Sequence, residues 1–487
     1  MKQKSSITVD KNKQEAQTME HKSAWNKYSK KELDKVFDFA NNYKNFLSDN
    51  KTERECCKYF TDEAEKNGYV NLNKLISSKK RLKAGDKVYA VNMNKEIVLF
   101  NIGKEDIEKG MNILGAHIDS PRLDLKQNPL YEEGGFAYFD THYYGGIKKY
   151  QWVTLPLALH GVVCKKDGTT VNINIGEKED EPVFFVSDLL IHLAQDQMTK
   201  EASKVVEGEA LDIIIGNIPL SVKAGKSEKK EDTKDPVMKN ILAILDKKYG
   251  IEESDFMSAE IEVVPAGKAR DAGFDSSMIL GYGHDDRVCS YPSFMAMMAV
   301  NNPSRTSCCI LVDKEEIGSV GATGMKSMFF ENTVAELINL LGSYSELSLK
   351  RCLANSDMLS SDVGSAFDPH YADVFDKKSV AFLGNGLLFN KFTGSRGKSG
   401  SNDANAEFIA KIRKVMDEDD IYYQFTELGK VDKGGGGTIA YITALYGMNV
   451  IDCGVPVISM HAPFEAISKA DLYEVYKGYE AFLTKMN

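Results

Sequence analysis

The sequence predicts an α/β protein interrupted by a β-rich insertion, and three observations carry that expectation. Short apolar runs such as "CCILV" end abruptly in charge or glycine, as buried strands do. Beyond about residue 262, such strands alternate with helical patterns to the C-terminus. Between residues 128 and 262 the character changes: "GGFAYFDTHYYGG", "WVTLPLALHGVVC" and "TVNINIG" are aromatic and β-branched, with glycine punctuation.

In chain order, the first 30 residues or so read as a loosely held arm. Residues 30–67 show apolar positions at helical spacing, giving two helices with a break near Ser48 and Asp49. "KVYAVNMNKEIVLFNIG" reads as a strand pair turning around Asn94, and "MNILGAHIDSPRLDLK" as a buried strand ending in polar residues. The insertion, residues 128–262, has the size of a domain of about 130 residues. It contains a highly charged loop at 222–240. The remainder, residues 1–127 and 263–487, forms one discontinuous domain, and no internal repeat is present.

Composition narrows the function. A net charge of −10 and a pI near 5.5 oppose a nucleic-acid partner, which needs a basic face. No apolar stretch approaches the roughly 20 residues that span a membrane, and the polar start lacks a signal-peptide core. Eight scattered cysteines show neither a disulfide framework nor a CxxC zinc pattern, so the expectation is reduced thiols in a cytoplasmic protein. Cys308 and Cys309 read as small core residues.

The chemistry concentrates where apolar runs end. "CCILVDKEEIGSVGATG" places Glu315 and Glu316 between a buried strand and a glycine-rich turn. In a regular strand the two carboxylates would point to opposite faces, but at a strand end both can address one pocket. "NILGAHIDSP" offers His117 and Asp119, "GYGHDDR" offers His284, Asp285 and Asp286, "LSSDVGS" offers Asp362, and "VISMHAPFE" offers His461. Taken singly, each has a plain reading: a hydrogen-bonded histidine, a turn or cap aspartate, a solvated acidic turn. Together they form a nitrogen and oxygen donor set suited to zinc or manganese, and in open α/β sheets strand ends converge.

The ordered set "GAHIDSPRLDLK", "GHDDR", "VDKEEIGS", "SSDVGSAFDPHY" and "ISMHAPFE" resembles the aspartyl aminopeptidase and aminopeptidase I family of metallopeptidases, over a span from about residue 30 to the end. The resemblance implies a three-layer zinc-aminopeptidase catalytic domain with a mixed sheet, plus an inserted dimerisation domain. It implies two divalent ions per chain, zinc by default with manganese or cobalt as alternatives. Asp285 would bridge them, His117 and Asp362 would complete one site, and Glu316 and His461 the other. Glu315 would be the general base and Asp119 a supporting group behind the ligands. Family members often carry Arg-Leu-Asp-Asn where this chain has "GHDDR", so His284 and Asp286 are taken as neighbours of the ligands. "DPHY" departs from a more usual His-Pro pattern and leaves His370 without a role. The glycine-rich "DKGGGGTIA" suggests close backbone approach near the site.

The implied reaction is hydrolysis of the first peptide bond of peptides with a free N-terminus. A carboxypeptidase- or deacylase-type amidohydrolase on the same scaffold is the alternative, followed by a non-catalytic peptide-binding scaffold. Acidic N-terminal residues would need a basic partner, for which Lys391, with Arg396 and Lys398 nearby, is the candidate. His192, in "DLLIHLA", has the helical spacing of a structural histidine. The resemblance instead implies a homo-oligomer in which His192 reaches a neighbouring active site, dimers building a larger assembly such as a tetrahedral dodecamer.

Overall fold

A computed structural model describes residues 23–220, 234–394 and 397–486. Helices α1 (Lys30–Asp49) and α2 (Glu53–Lys66) each open with a capping box. Ser29 and Thr52 accept the amides of Glu32 and Glu55, whose carboxylates accept the cap amides in return. The expected break falls between them at Asn50. β1 (Val70–Asn71) and α3 (Leu72–Ser78) lead to the hairpin of β2 (Lys87–Asn92) and β3 (Glu96–Asn101). Met93 and Asn94 turn it with positive φ, the twist that suits a tight hairpin. β4 (Met111–His117) follows.

A second sheet then departs from the first. Its strands are β5 (Arg122–Glu133), β6 (Phe136–Tyr144), β7 (Leu157–Cys164), β8 (Thr170–Ile175), β9 (Ile213–Gly216) and β10 (Ala259–Pro265), in the order β8-β7-β10-β5-β6-β9. Every pairing is antiparallel. Leu123, Phe139, Trp152, Leu159, Ile213 and Val263 fill its own core, with α4 (Pro236–Tyr249) beside it. Most of the charged loop expected at 222–240 lies outside the described residues.

The chain returns through β11 (Arg270–Ala272), β12 (Met278–Gly281), α5 (His284–Ala299), β13 (Thr306–Val312), α6 (Phe329–Leu341), α7 (Glu346–Ala354), β14 (Asp357–Ser361) and β15 (Gly364–Ser365). It ends with β16 (Leu387–Asn390), α8 (Ala406–Glu418), β17 (Tyr423–Thr426), α9 (Ala440–Ala444), β18 (Asn449–Gly454), β19 (Pro456–Ile458), β20 (Glu465–Ser468) and α10 (Lys469–Lys485). The main sheet runs β1-β2-β3-β13-β4-β14-β18-β16-β17. Its central four strands, β13, β4, β14 and β18, are parallel, while β3 and β16 flank them antiparallel, so the sheet is mixed.

Strand alternation builds the three layers. Leu114, Cys309, Leu311 and Leu359 point to a core shared with α1, α2, α5, α8 and α10. Ile113, Cys308, Ile310 and Met358 point to the opposite core, closed by α3, α6, α7 and α9. The adjacent cysteines therefore serve two different cores. A small sheet, β11-β12-β20-β19-β15, holds the start of α5 beside the turn that carries His461.

Buried ionic contacts tie the second sheet to the α1–α2 corner. Lys51 Nζ donates to Glu177 Oε1 at 2.6 Å and to the carbonyls of Pro265 and Gly267. His160, on β7, lies between Glu55 Oε1 at 2.8 Å and Glu177 Oε1 at 3.0 Å. Burial favours a neutral imidazole, but bonding to Glu177 and Glu55 outweighs it and holds the His160 pKa above its usual value. Both carboxylates are held low by the same contact, against burial. The ion pairs are thus complete from the ordinary carboxylate range up to about pH 6.5, and their contribution is lost as pH rises through the raised folded value of His160. Melting temperature should fall more steeply above pH 6.5 in the wild type than in His160→Gln. Parallel profiles in the two proteins would refute this.

Candidate metal centre

The parallel strands deliver their ends to one place. His117 closes β4. After β13 the chain passes through Lys314, at φ 68°, into a tight turn over Glu315–Ile317, so the two glutamates face one cavity. Asp362 follows β14, its amide donating to the Cys453 carbonyl of the neighbouring strand β18 at 2.8 Å. The small sheet brings the other two. Asp285 stands in the first turn of α5, joined to Asp286 by a cis peptide. His461 lies between β19 and β20. Glu465 ties these together, accepting the Asp285 amide at 3.0 Å and the His461 amide at 2.7 Å.

Asp285 stands at the centre. Its Oδ1 lies 3.2 Å from His117 Nε2 and its Oδ2 3.1 Å from His461 Nε2. Glu316 Oε1 is 3.5 Å from His461 Nε2, and Asp362 Oδ1 and Glu315 Oε2 are 3.8 and 3.9 Å from His117 Nε2. Both imidazoles turn Nδ1 away from this cluster. That of His117 meets the carbonyl and Oδ1 of Asp119 at 3.0 and 3.2 Å, and that of His461 meets the Gly146 carbonyl at 2.9 Å. Such backing fixes the tautomer that offers Nε2 forward. Two groups have ligand atoms close enough to share an ion: His117, Asp285 and Glu316, and His117, Asp286 and Asp362. Asp286, expected to be only a neighbour, thus presents its carboxylate to the second group while its Oδ2 accepts the His117 amide at 3.3 Å.

The electrostatics are those of a buried acidic cluster gathered around two imidazoles. Burial and then Asp362 push the Glu315 carboxyl up to about 8. Burial and Asp285 drive Glu316 well above the usual range, and burial raises Asp286 and Asp362. Burial would lower His117 and His461, but their carboxylate neighbours prevail and raise both, His461 to about 10. Four buried atoms of these two groups, His117 Nε2, Asp285 Oδ1, Asp286 Oδ1 and Glu316 Oε1, have no hydrogen-bond partner. Divalent cations held by the two groups would satisfy all four, and a donor set of imidazole and carboxylate without cysteine fits zinc.

The cluster opens on a cavity of about 460 Å³, walled further by Asn390, Thr426, Glu427, Tyr441, Asp452 and Met460. Gly435, Gly436 and Gly437 also line it, as the glycine-rich stretch suggested. Gly145, at φ 76°, packs against Glu316, where a Cβ would stand 3.3 Å from its Oε2. Other expected positions lie elsewhere. His284 points back into the core, bonded to the Tyr43 hydroxyl at 2.8 Å. His370 is exposed on a short turn over Pro369–Val374. His192 is not on a buried helix: it sits exposed in a single turn, Ile191–Leu193, so a core role is excluded. Lys391 is exposed and lines a separate open cleft along β17 and α8 rather than the cavity. Lys398 pairs with Asp403, and Arg396 lies outside the described residues. Sequence reasoning missed Glu465 as a tie between ligands, although it closes the quoted stretch "HAPFE".

The model of the aminopeptidase I zinc metalloproteases, M18, matches residues 46–483. The chain belongs to the M18 family. A curated M18 relative from Clostridium acetobutylicum, described as "Probable M18 family aminopeptidase 1", is 59% identical over 464 residues, covering 95% of this chain and 98% of the relative. The crystal structure of aminopeptidase I from the same organism superposes with a TM-score of 0.88 at 57% identity, covering 96% of this chain and 99% of that one. That of the M18 aminopeptidase from Thermotoga maritima gives 0.90 at 43% identity, covering 96% and 100%. The M18 chain thus carries the family's architecture together with clusters able to hold two divalent ions.

Without ions, the raised carboxyl and imidazole pKa values mean that the folded protein loses stability as pH rises from the carboxylate range towards 8. Bound cations remove that repulsion. The difference in melting temperature between zinc-loaded and chelated protein should therefore widen from pH 5 to pH 8. A constant difference across that range would contradict the electrostatic account.

Proposed function

We propose that this M18 protein is a zinc-dependent aminopeptidase that removes the first residue of peptides with a free N-terminus. The observation that carries the reading is Asp285, buried in the wall of an acidic cavity, which offers one oxygen to each of two imidazoles. Asp285 is assigned as the bridge between two ion positions, His117 and Asp362 as holders of one, and Glu316 and His461 as holders of the other. Asp286 lies within reach of the first. Bound there, the two ions supply Lewis acidity to a water and to the scissile carbonyl.

The remaining work falls to the chain. Glu315 Oε2 takes the proton of the attacking water and delivers it to the leaving amine nitrogen. Asp119, behind His117, holds that ring and both glutamate amides in register. Glu427 and Asp452, which hold no ion in this assignment, make the described cavity wall acidic, which favours a substrate ammonium over the carboxylate that a carboxypeptidase would read. Unblocked aminoacyl substrates should be cleaved and their N-acetylated forms left intact. Glu315→Ala should keep two ions per chain and lose about 10²–10⁴-fold in turnover, whereas Asp285→Ala should bind fewer ions. Metal loss from Glu315→Ala with Asp285→Ala fully loaded would reverse the assignment.

The reading extends to a cytoplasmic homo-oligomer with the inserted sheet as its contact surface. All eight cysteines are unpaired, consistent with a reducing compartment. Around His192, Leu189, Leu190, Ile191, Leu193 and Met198 are all exposed, a patch of the kind that marks an interface. A neighbouring copy seated there would carry His192 towards its partner's cavity, where an imidazole can bond the developing oxyanion. Mixed oligomers of Glu315→Ala and His192→Ala chains should then recover part of the activity that each lacks alone. Full activity of His192→Ala by itself would exclude the assignment.

A further inference from the structure

A line of contacts runs from the metal centre to the junction of the two sheets, and the chemistry above leaves it unused. Asp119 has both carboxylate oxygens engaged. Oδ1 accepts the Glu315 amide at 3.2 Å and faces His117 Nδ1, while Oδ2 accepts the Glu316 amide at 3.2 Å. Oδ2 also accepts the Tyr144 hydroxyl, at 2.7 Å. Tyr144 ends β6 and is paired in register with Arg122 of β5. The Arg122 guanidinium lies over its ring, 4.0 Å from the centroid. Arg122 is held in turn by Asp124 at 2.8 Å, Glu262 at 3.1 Å and Glu53 at 3.4 Å, from β5, β10 and α2.

We propose that Tyr144 is a positioning residue for the metal centre, acting through Asp119, with Arg122 fixing its ring. This rests on the ligand assignment above and adds a residue to it. Two backbone amides and a histidine approach Asp119 from the side of the cluster. The Tyr144 hydroxyl is the side-chain donor that reaches it from the second sheet, and it sets the plane of the carboxylate. That plane sets how Oδ1 supports His117 Nδ1 beside the Asp119 carbonyl, and whether the Glu315–Glu316 turn sits at the correct depth. A stacked arginine pinned by three carboxylates leaves the tyrosine ring little freedom to swing.

Tyr144→Phe keeps the ring and its contact with Arg122 and removes the hydroxyl alone. Zinc affinity, measured by competition with a chromophoric chelator, should fall about tenfold or more. In the zinc-saturated enzyme kcat should fall with KM nearly unchanged, a split that a loss of stability alone would not produce. Asp119→Asn supplies the second arm. If Tyr144 acts through Asp119, adding Tyr144→Phe to Asp119→Asn should change zinc affinity little further. Wild-type zinc affinity in Tyr144→Phe, or full additivity of the two losses, would overturn the proposal. The zinc competition is independent of turnover, so an inactive wild type would count against the proposed reaction and leave this test standing.

Discussion

Crowding of buried carboxylates is the constraint on which the rest of the structure depends. Like charges about 4 Å apart cost on the order of 4 kcal/mol even at an effective dielectric of 20, and here several meet in a buried setting. The fold restrains them chiefly with backbone amides. Asp119 takes those of Glu315 and Glu316, Glu465 those of Asp285 and His461, and Asp286 that of His117. Each carboxylate is thereby aimed by the backbone of a neighbouring station. The parallel strands β13, β4 and β14 and the small sheet place those backbones in one neighbourhood, and the three-layer architecture keeps them there.

Much of this was legible in the sequence, because strands declare themselves locally. The run 306–312, closed by Asp313 and the glutamate pair, announced both a buried strand and a shared pocket at its end. The turn around Asn94, the break after Asp49 and the paired cysteines of β13 followed from spacing and residue type alone. Ligand candidates stood at strand ends for the same reason. A polar group that follows an apolar run must find a partner, and several such groups at the ends of adjacent parallel strands find one another.

What stayed illegible depended on contacts across long separations. His192 sits among apolar residues at helical spacing, and the sequence gives no sign that those side chains remain exposed in a short turn. His284 and Asp286 are neighbours of Asp285, yet one faces the core through Tyr43 and the other the cluster, a division set by how α5 leaves the small sheet. Lys391 follows Asn390 at the end of β16, yet Asn390 lines the cavity while Lys391 lines a different cleft, a division that spacing alone does not announce. Tyr144 looked like one aromatic among many. Its importance comes from the register that sets it opposite Arg122 and beside Asp119.

The loop that closes β6 brings Gly145 against Glu316 and sets the carbonyl of Gly146 behind His461. The inserted sheet therefore furnishes part of the wall of the reaction chamber. In evolutionary terms the insertion is not an exchangeable accessory. A chimera that borrowed it from a distant homologue would import a foreign piece of the active centre, and a lineage that altered one sheet would need matching changes in the other. Recombination between such lineages should favour crossovers that keep the two sheets together as one inherited block.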